Sequence, residues 1–114
     1  MKEITPEIQQ MLEELKEEVL KIAGSDVKKI ILFGSYARGD YEEESDIDVM
    51  ILVGSDNSKK YDNEIVDTQT DLCIKYGKVV MPLFYSYQYY KEKENSMPLY
   101  INVKNEGVTV YDAA

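Results

Sequence analysis

Two short apolar stretches, 27–33 and 47–53, flank the string Gly34-Ser35-Tyr36-Ala37-Arg38-Gly39-Asp40-Tyr41-Glu42-Glu43-Glu44-Ser45-Asp46. Asp48 follows inside the second stretch, so a Gly-Ser pair, ten residues and Asp-x-Asp form one unit. Each stretch is brief, β-branched and bounded by turn residues, which predicts two buried strands. The polar string between them can hold a phosphate chain and a divalent metal side by side. No other part of the chain offers comparable chemistry.

Gly34 ends the first strand and has no Cβ, so a ligand can approach the backbone closely there. Ser35 adds a hydroxyl and an N–H. Residues 36–39 read as the start of a helical turn, whose free N–H groups would face an anion over Gly34-Ser35. Arg38 supplies a fork of donors that matches phosphate oxygens. On the second strand, side chains alternate, so Asp46 and Asp48 share one face and Ile47 takes the other. Two carboxylates so placed repel each other unless a cation lies between them. Hard oxygen ligands on a rigid strand suit Mg²⁺ or Mn²⁺, which also bind phosphate oxygens. Phosphoryl and nucleotidyl transfer need mainly positioning and charge neutralisation of this kind.

The combination Gly34-Ser35-x10-Asp46-x-Asp48, with Ala37-Arg38-Gly39 inside it and Ser45 before the first Asp, resembles the minimal nucleotidyltransferases of the polymerase β superfamily. The likeness extends more loosely from about Val27 to Tyr111. It implies an α/β (α+β) fold, a polymerase-β-like palm with a mixed sheet of about four strands flanked by helices. It also implies two-metal chemistry that moves a nucleotide monophosphate, AMP from ATP, to an acceptor. Members often serve as the antitoxin of a two-gene module. Their partner is then a helical HEPN-type protein, which some modify with AMP on tyrosine. On this reading Asp46 and Asp48 are the catalytic metal ligands, and Gly34, Ser35, Arg38 and Ser45 hold the nucleotide.

One departure matters. The family places a third carboxylate on the next core strand, here expected at 78–85, and Lys78-Val79-Val80-Met81-Pro82-Leu83-Phe84-Tyr85 contains no acid. Another residue replaces it, the partner supplies it, or the chain binds nucleotide without efficient transfer. Glu64 and Asp71, on the preceding helix, read as solvated charges. The alternative function is thus a binding module that neutralises a helical partner by contact.

Composition narrows the field. The chain has 114 residues and reads as one domain, 1–114. Its 22 acids outnumber its 13 bases, for a formal charge of −9. That argues against a duplex nucleic-acid footprint and suits a basic protein partner. The absence of His excludes His-based hydrolases and the common zinc sites. No segment reads as a membrane span or secretory leader. The single Cys73 fits a reducing, cytoplasmic setting and is expected to be a buried small hydrophobe.

Around the central unit, Thr5-Pro6 reads as a helix start, followed by Ile8, Met11, Leu12, Leu15, Val19 and Ile22 at helical spacing and Gly24 as the stop. A second helix is expected over 60–76, ended by Gly77. Pro82 cannot donate to a ladder, which puts its strand at an edge, at a bulge, or with that position facing away. A short helix is expected within 86–95. Another is expected after a Ser96 cap with Pro98 in its first turn, and a last strand over 108–111. Tyr85, Tyr87, Tyr89, Tyr90 and Tyr100 suit either a partner or base-stacking surface or a set of half-buried aromatics.

Overall fold

The long first helix, α1 (Pro6–Ala23), begins where the sequence places it. The Thr5 hydroxyl accepts from the Ile8 N–H, and Pro6 occupies the first turn. Its apolar stripe, Ile8, Met11, Leu12, Leu15 and Val19, is buried. Gly24 closes it with a positive φ of 53°, a conformation that costs a glycine little. The computed structural model describes residues 2–113. The remaining elements are β1 (Val27–Phe33), α2 (Ser35–Arg38), β2 (Ile47–Val53), α3 (Asp62–Tyr76), β3 (Val80–Ser86), α4 (Tyr87–Lys93), α5 (Pro98–Glu106) and β4 (Val108–Asp112).

The four strands form one mixed sheet in the order β3-β2-β1-β4. β1 pairs antiparallel with β2 and with β4, while β2 and β3 run parallel through the α3 crossover. Pro82 lies on β3 at the sheet edge, the setting its missing donor favours. α1 and α3 cover one face: Ile30 and Leu32 of β1, Ile47, Val49, Ile51 and Val53 of β2, and Val80 and Phe84 of β3 pack there with Leu15 and Leu72. Leu15 and Phe84 are fully buried, and truncating Leu15 to Ala should cost about 2–5 kcal/mol. The alternate residues Ile31, Met50 and Leu52 face the other way and pack with Tyr90, Tyr100 and Val103 from α4 and α5.

Several sequence expectations shift at their edges. Residues 58–61 form a 3-10 turn, and the α-helix proper begins at Asp62. β3 starts at Val80, two residues after the start of the expected strand 78–85, and ends at Ser86. Met97, not Ser96, is the cap of α5. Pro98 fills the first helical position and drives the residue before it into the extended region, so Met97 must be the boundary. Cys73 packs against the core but stays partly exposed, so it is not the fully buried hydrophobe its type suggests. The late tyrosines are mainly packing groups. Tyr100 is buried and meets Tyr85, Tyr89 and Tyr90 edge-on, with centroids 6.0, 5.8 and 5.5 Å away.

Candidate active site

β1 ends at Phe33, and Phe33 lies directly opposite Asp48 in the antiparallel ladder. This register brings the Gly-Ser turn and the Asp-x-Asp strand together. Gly34 has φ 76° and ψ −156°, backbone that L side chains rarely adopt. A Cβ built on Gly34 would stand 2.6 Å from Asp48 Oδ2, so the carboxylate occupies the space that only glycine leaves free. α2 follows at once. The N–H groups of Ala37 and Arg38 both donate to the Gly34 carbonyl, at 3.1 Å each. Those of Ser35 and Tyr36 take no part in that closure. Gly39 ends the turn with φ 83°.

The turn is braced from below. Tyr36 is buried and its ring stacks on Tyr41, with centroids 4.0 Å apart and planes 7° from parallel. The Tyr41 hydroxyl donates to the Glu3 carbonyl at 2.9 Å, and the Lys2 N–H donates to the Gly39 carbonyl at 2.9 Å. The N-terminal segment therefore ties down the chain on the far side of α2. This brace was not visible in the sequence, because its partners lie far apart along the chain.

Asp46 is exposed at the start of β2, while Asp48 is half-buried within it. Burial, followed by the charge of Asp46, pushes the Asp48 carboxyl above the usual carboxylate range, and Arg38 pulls it partly back. The pair is thus short of positive charge. Arg38 does not supply it fully. Its Nε donates to Asp40 at 3.2 Å and its Nη1 to Glu106 at 3.4 Å. Those two carboxylates hold the guanidinium even more firmly in its charged form. Glu106, at the end of α5, is a site neighbour that the sequence reading missed. Ser45 closes the loop before Asp46: its Oγ accepts from the Glu42 N–H at 2.8 Å, and its own N–H donates to the Glu42 carbonyl at 3.1 Å. Glu42, Glu43 and Glu44 are exposed.

The parallel ladder settles what stands beside the pair on β3. Asp48 is registered with Met81, which faces the same side. Gln69 on α3 donates to the Val80 carbonyl at 2.9 Å, with Met81 Sδ at 3.7 Å from the same nitrogen. Glu64 and Asp71 are exposed on α3. Among the described residues, no set of three or more acids, Cys or His could hold a metal. Two carboxylates, one just before β2 and one within it, still fit Mg²⁺ or Mn²⁺, because such ions are commonly held by one or two carboxylates with substrate phosphates and water completing the shell.

Comparison with known proteins agrees with this geometry. Residues 8–106 match the nucleotidyltransferase domain family. Two proteins of Methanocaldococcus jannaschii, each named "Putative protein adenylyltransferase", are similar to the chain. One is 45% identical over 85 residues, covering 75% of this chain and 79% of the relative. The other is 39% identical over 79 residues, covering 69% and 80%. A crystal structure of a toxin-antitoxin with AMP-PNP aligns with 92% of this chain and 73% of its own, at a TM-score of 0.56 and 19% identity, and so shares the fold. The glycine turn, the paired aspartates and the sheet that aligns them, together with the family match over most of its length, make this chain a member of the nucleotidyltransferase domain family.

Proposed function

We propose that the chain transfers AMP from ATP to a hydroxyl of a protein acceptor, a helical HEPN-type toxin partner that it thereby silences. The observation that carries this reading is the Gly34–Asp48 contact, which sets the glycine turn directly against a half-buried carboxylate raised by burial and by its neighbour Asp46. Ser35, with the free N–H groups of its turn, and Arg38 would bind the triphosphate. Ser45 accepts within its loop and keeps its own hydroxyl proton for a phosphate oxygen. Asp46 and Asp48 would hold Mg²⁺ or Mn²⁺, which neutralises the charge that builds on the phosphates. The acceptor oxygen bonds to the α-phosphorus as the bond to the bridging oxygen breaks and pyrophosphate leaves. The hydroxyl proton would pass to water or to a base supplied by the partner, since β3 offers no carboxylate for that role beside Asp48. The adenylyltransferase names of the relatives support the choice of AMP.

Met81 opposite Asp48 favours a second reading, in which the chain neutralises its partner by contact and nucleotide binding is residual. Titrating ATP into the protein with Mg²⁺ and then with EDTA tests the shared foundation. Binding that needs the metal supports the site. Equal affinity without it would remove the assignment of Asp46 and Asp48.

A further inference from the structure

A cavity opens on the same face of the sheet as Asp48. Lys29 and Ile31 contribute from β1, Tyr87 and Lys91 from α4, and Lys104 from α5, with Glu94 at the end of α4. Its volume is about 220 Å³. That is below the roughly 300–1,000 Å³ of pockets that take whole small molecules, so it has room for a single side chain, not a nucleotide.

Its charge is unusual for a chain of −9. Lys91 and Lys104 share one carboxylate, Glu94, with N–O separations of 3.4 and 3.7 Å. Glu94 is only 14% exposed, while the two lysines are 52% and 44% exposed. Lys29 adds a third ammonium, paired with exposed Asp112 at 3.9 Å. Two cations on one partly exposed acid leave about one positive charge uncompensated at the mouth. A weakly paired lysine next to it adds to that field, which favours a monoanion.

The position gives the cavity a meaning. Ile31 sits two residues before Phe33, and Lys29 four before it, on the β1 face that Phe33 shares with Asp48. At about 3.3 Å per residue the pocket lies roughly 7–13 Å along the strand from the reacting centre. An extended acceptor segment covers that span in about two to four residues. We infer that this cavity receives a carboxylate side chain of the acceptor, two to four residues from the hydroxyl that is modified. The inference rests on the proposed protein-adenylylating activity and adds an acidic requirement to its substrate.

The test uses two acetylated, amidated peptides, Tyr-Ala-Ala-Glu and Tyr-Ala-Ala-Gln, added to the ¹⁵N-labelled full chain with ATP and Mg²⁺. Wild type should bind the Glu peptide about tenfold more tightly, with shifts at the amides of Lys29, Lys91 and Lys104. The Lys29→Gln, Lys104→Gln variant should bind both peptides alike, and Lys29→Arg, Lys104→Arg should restore the preference. ATP affinity should be the same in all three proteins. Equal binding of the two peptides by wild type, or a preference that survives the Gln substitutions, would overturn the inference. Measuring AMP transfer in the same samples separates the two claims. Transfer to both peptides without preference removes the pocket and leaves the activity. Glu-selective binding without transfer keeps the pocket and removes the activity.

Discussion

The Asp48 carboxylate lies where a side chain on Gly34 would begin, 2.6 Å from the position of its Cβ. The glycine turn and the Asp-x-Asp strand are therefore built against each other, and neither can be altered alone. Gly34→Ala must bring both a clash with Asp48 and an L residue at φ 76°. It should lower stability by about 1–3 kcal/mol and weaken ATP binding in the presence of Mg²⁺ by more than tenfold. Chemical denaturation and calorimetry read the two effects separately.

Replacing both acids, Asp46→Asn with Asp48→Asn, should behave in the opposite way. It removes a like-charge repulsion from a half-buried position. The melting temperature should hold or rise slightly, while metal-linked nucleotide binding disappears. A large fall in melting temperature would make these residues structural supports.

Asp48 adds a pH dependence of its own, opposite in sign to that of the depressed carboxyls Asp26 and Glu14. Its folded-state carboxyl is raised, by burial first and by Asp46 second, so between the unfolded and folded values the native state binds more protons. The contribution of Asp48 to stability then falls as pH rises through that window. Without metal, Asp48→Asn should gain more in melting temperature at pH 7 than at pH 4. Equal gains at both would show that the raised carboxyl carries no penalty.

Met81 faces the same side as Asp48 in the parallel ladder, so Met81→Asp would set a third carboxylate beside the pair. The apo protein should become less stable through added repulsion, and Mg²⁺ should recover more stability than it does in wild type. If transfer is limited by the missing acid, the variant should also turn over faster at equal metal. Melting curves against Mg²⁺ concentration, with pyrophosphate release, test both points.

The features that were legible in the sequence are those set by neighbours along the chain. The Thr5 cap, the Gly77 stop, the two central strands and the Gly34–Asp48 string depend on local chemistry. The Met97 cap was misplaced by one residue because a Ser looks like a better cap than the residue that Pro98 forces into place. Asp40 and Glu106 on Arg38, Tyr41 on Tyr36, and Met81 beside Asp48 arise from turn geometry, register and packing. Their types alone do not announce them, and Glu106 lies 68 residues from Arg38.

The central claim is AMP transfer to a protein, and intact-mass measurement of the acceptor tests it most directly. The chain, ATP and Mg²⁺ are incubated with the product of the neighbouring reading frame as candidate partner, and that protein is weighed. The account predicts a gain of whole AMP units that is lost with Asp46→Asn, Asp48→Asn. A partner that stays unmodified with either Mg²⁺ or Mn²⁺, across all four ribonucleoside triphosphates, while still being neutralised by the double variant, would contradict it and leave a contact inhibitor.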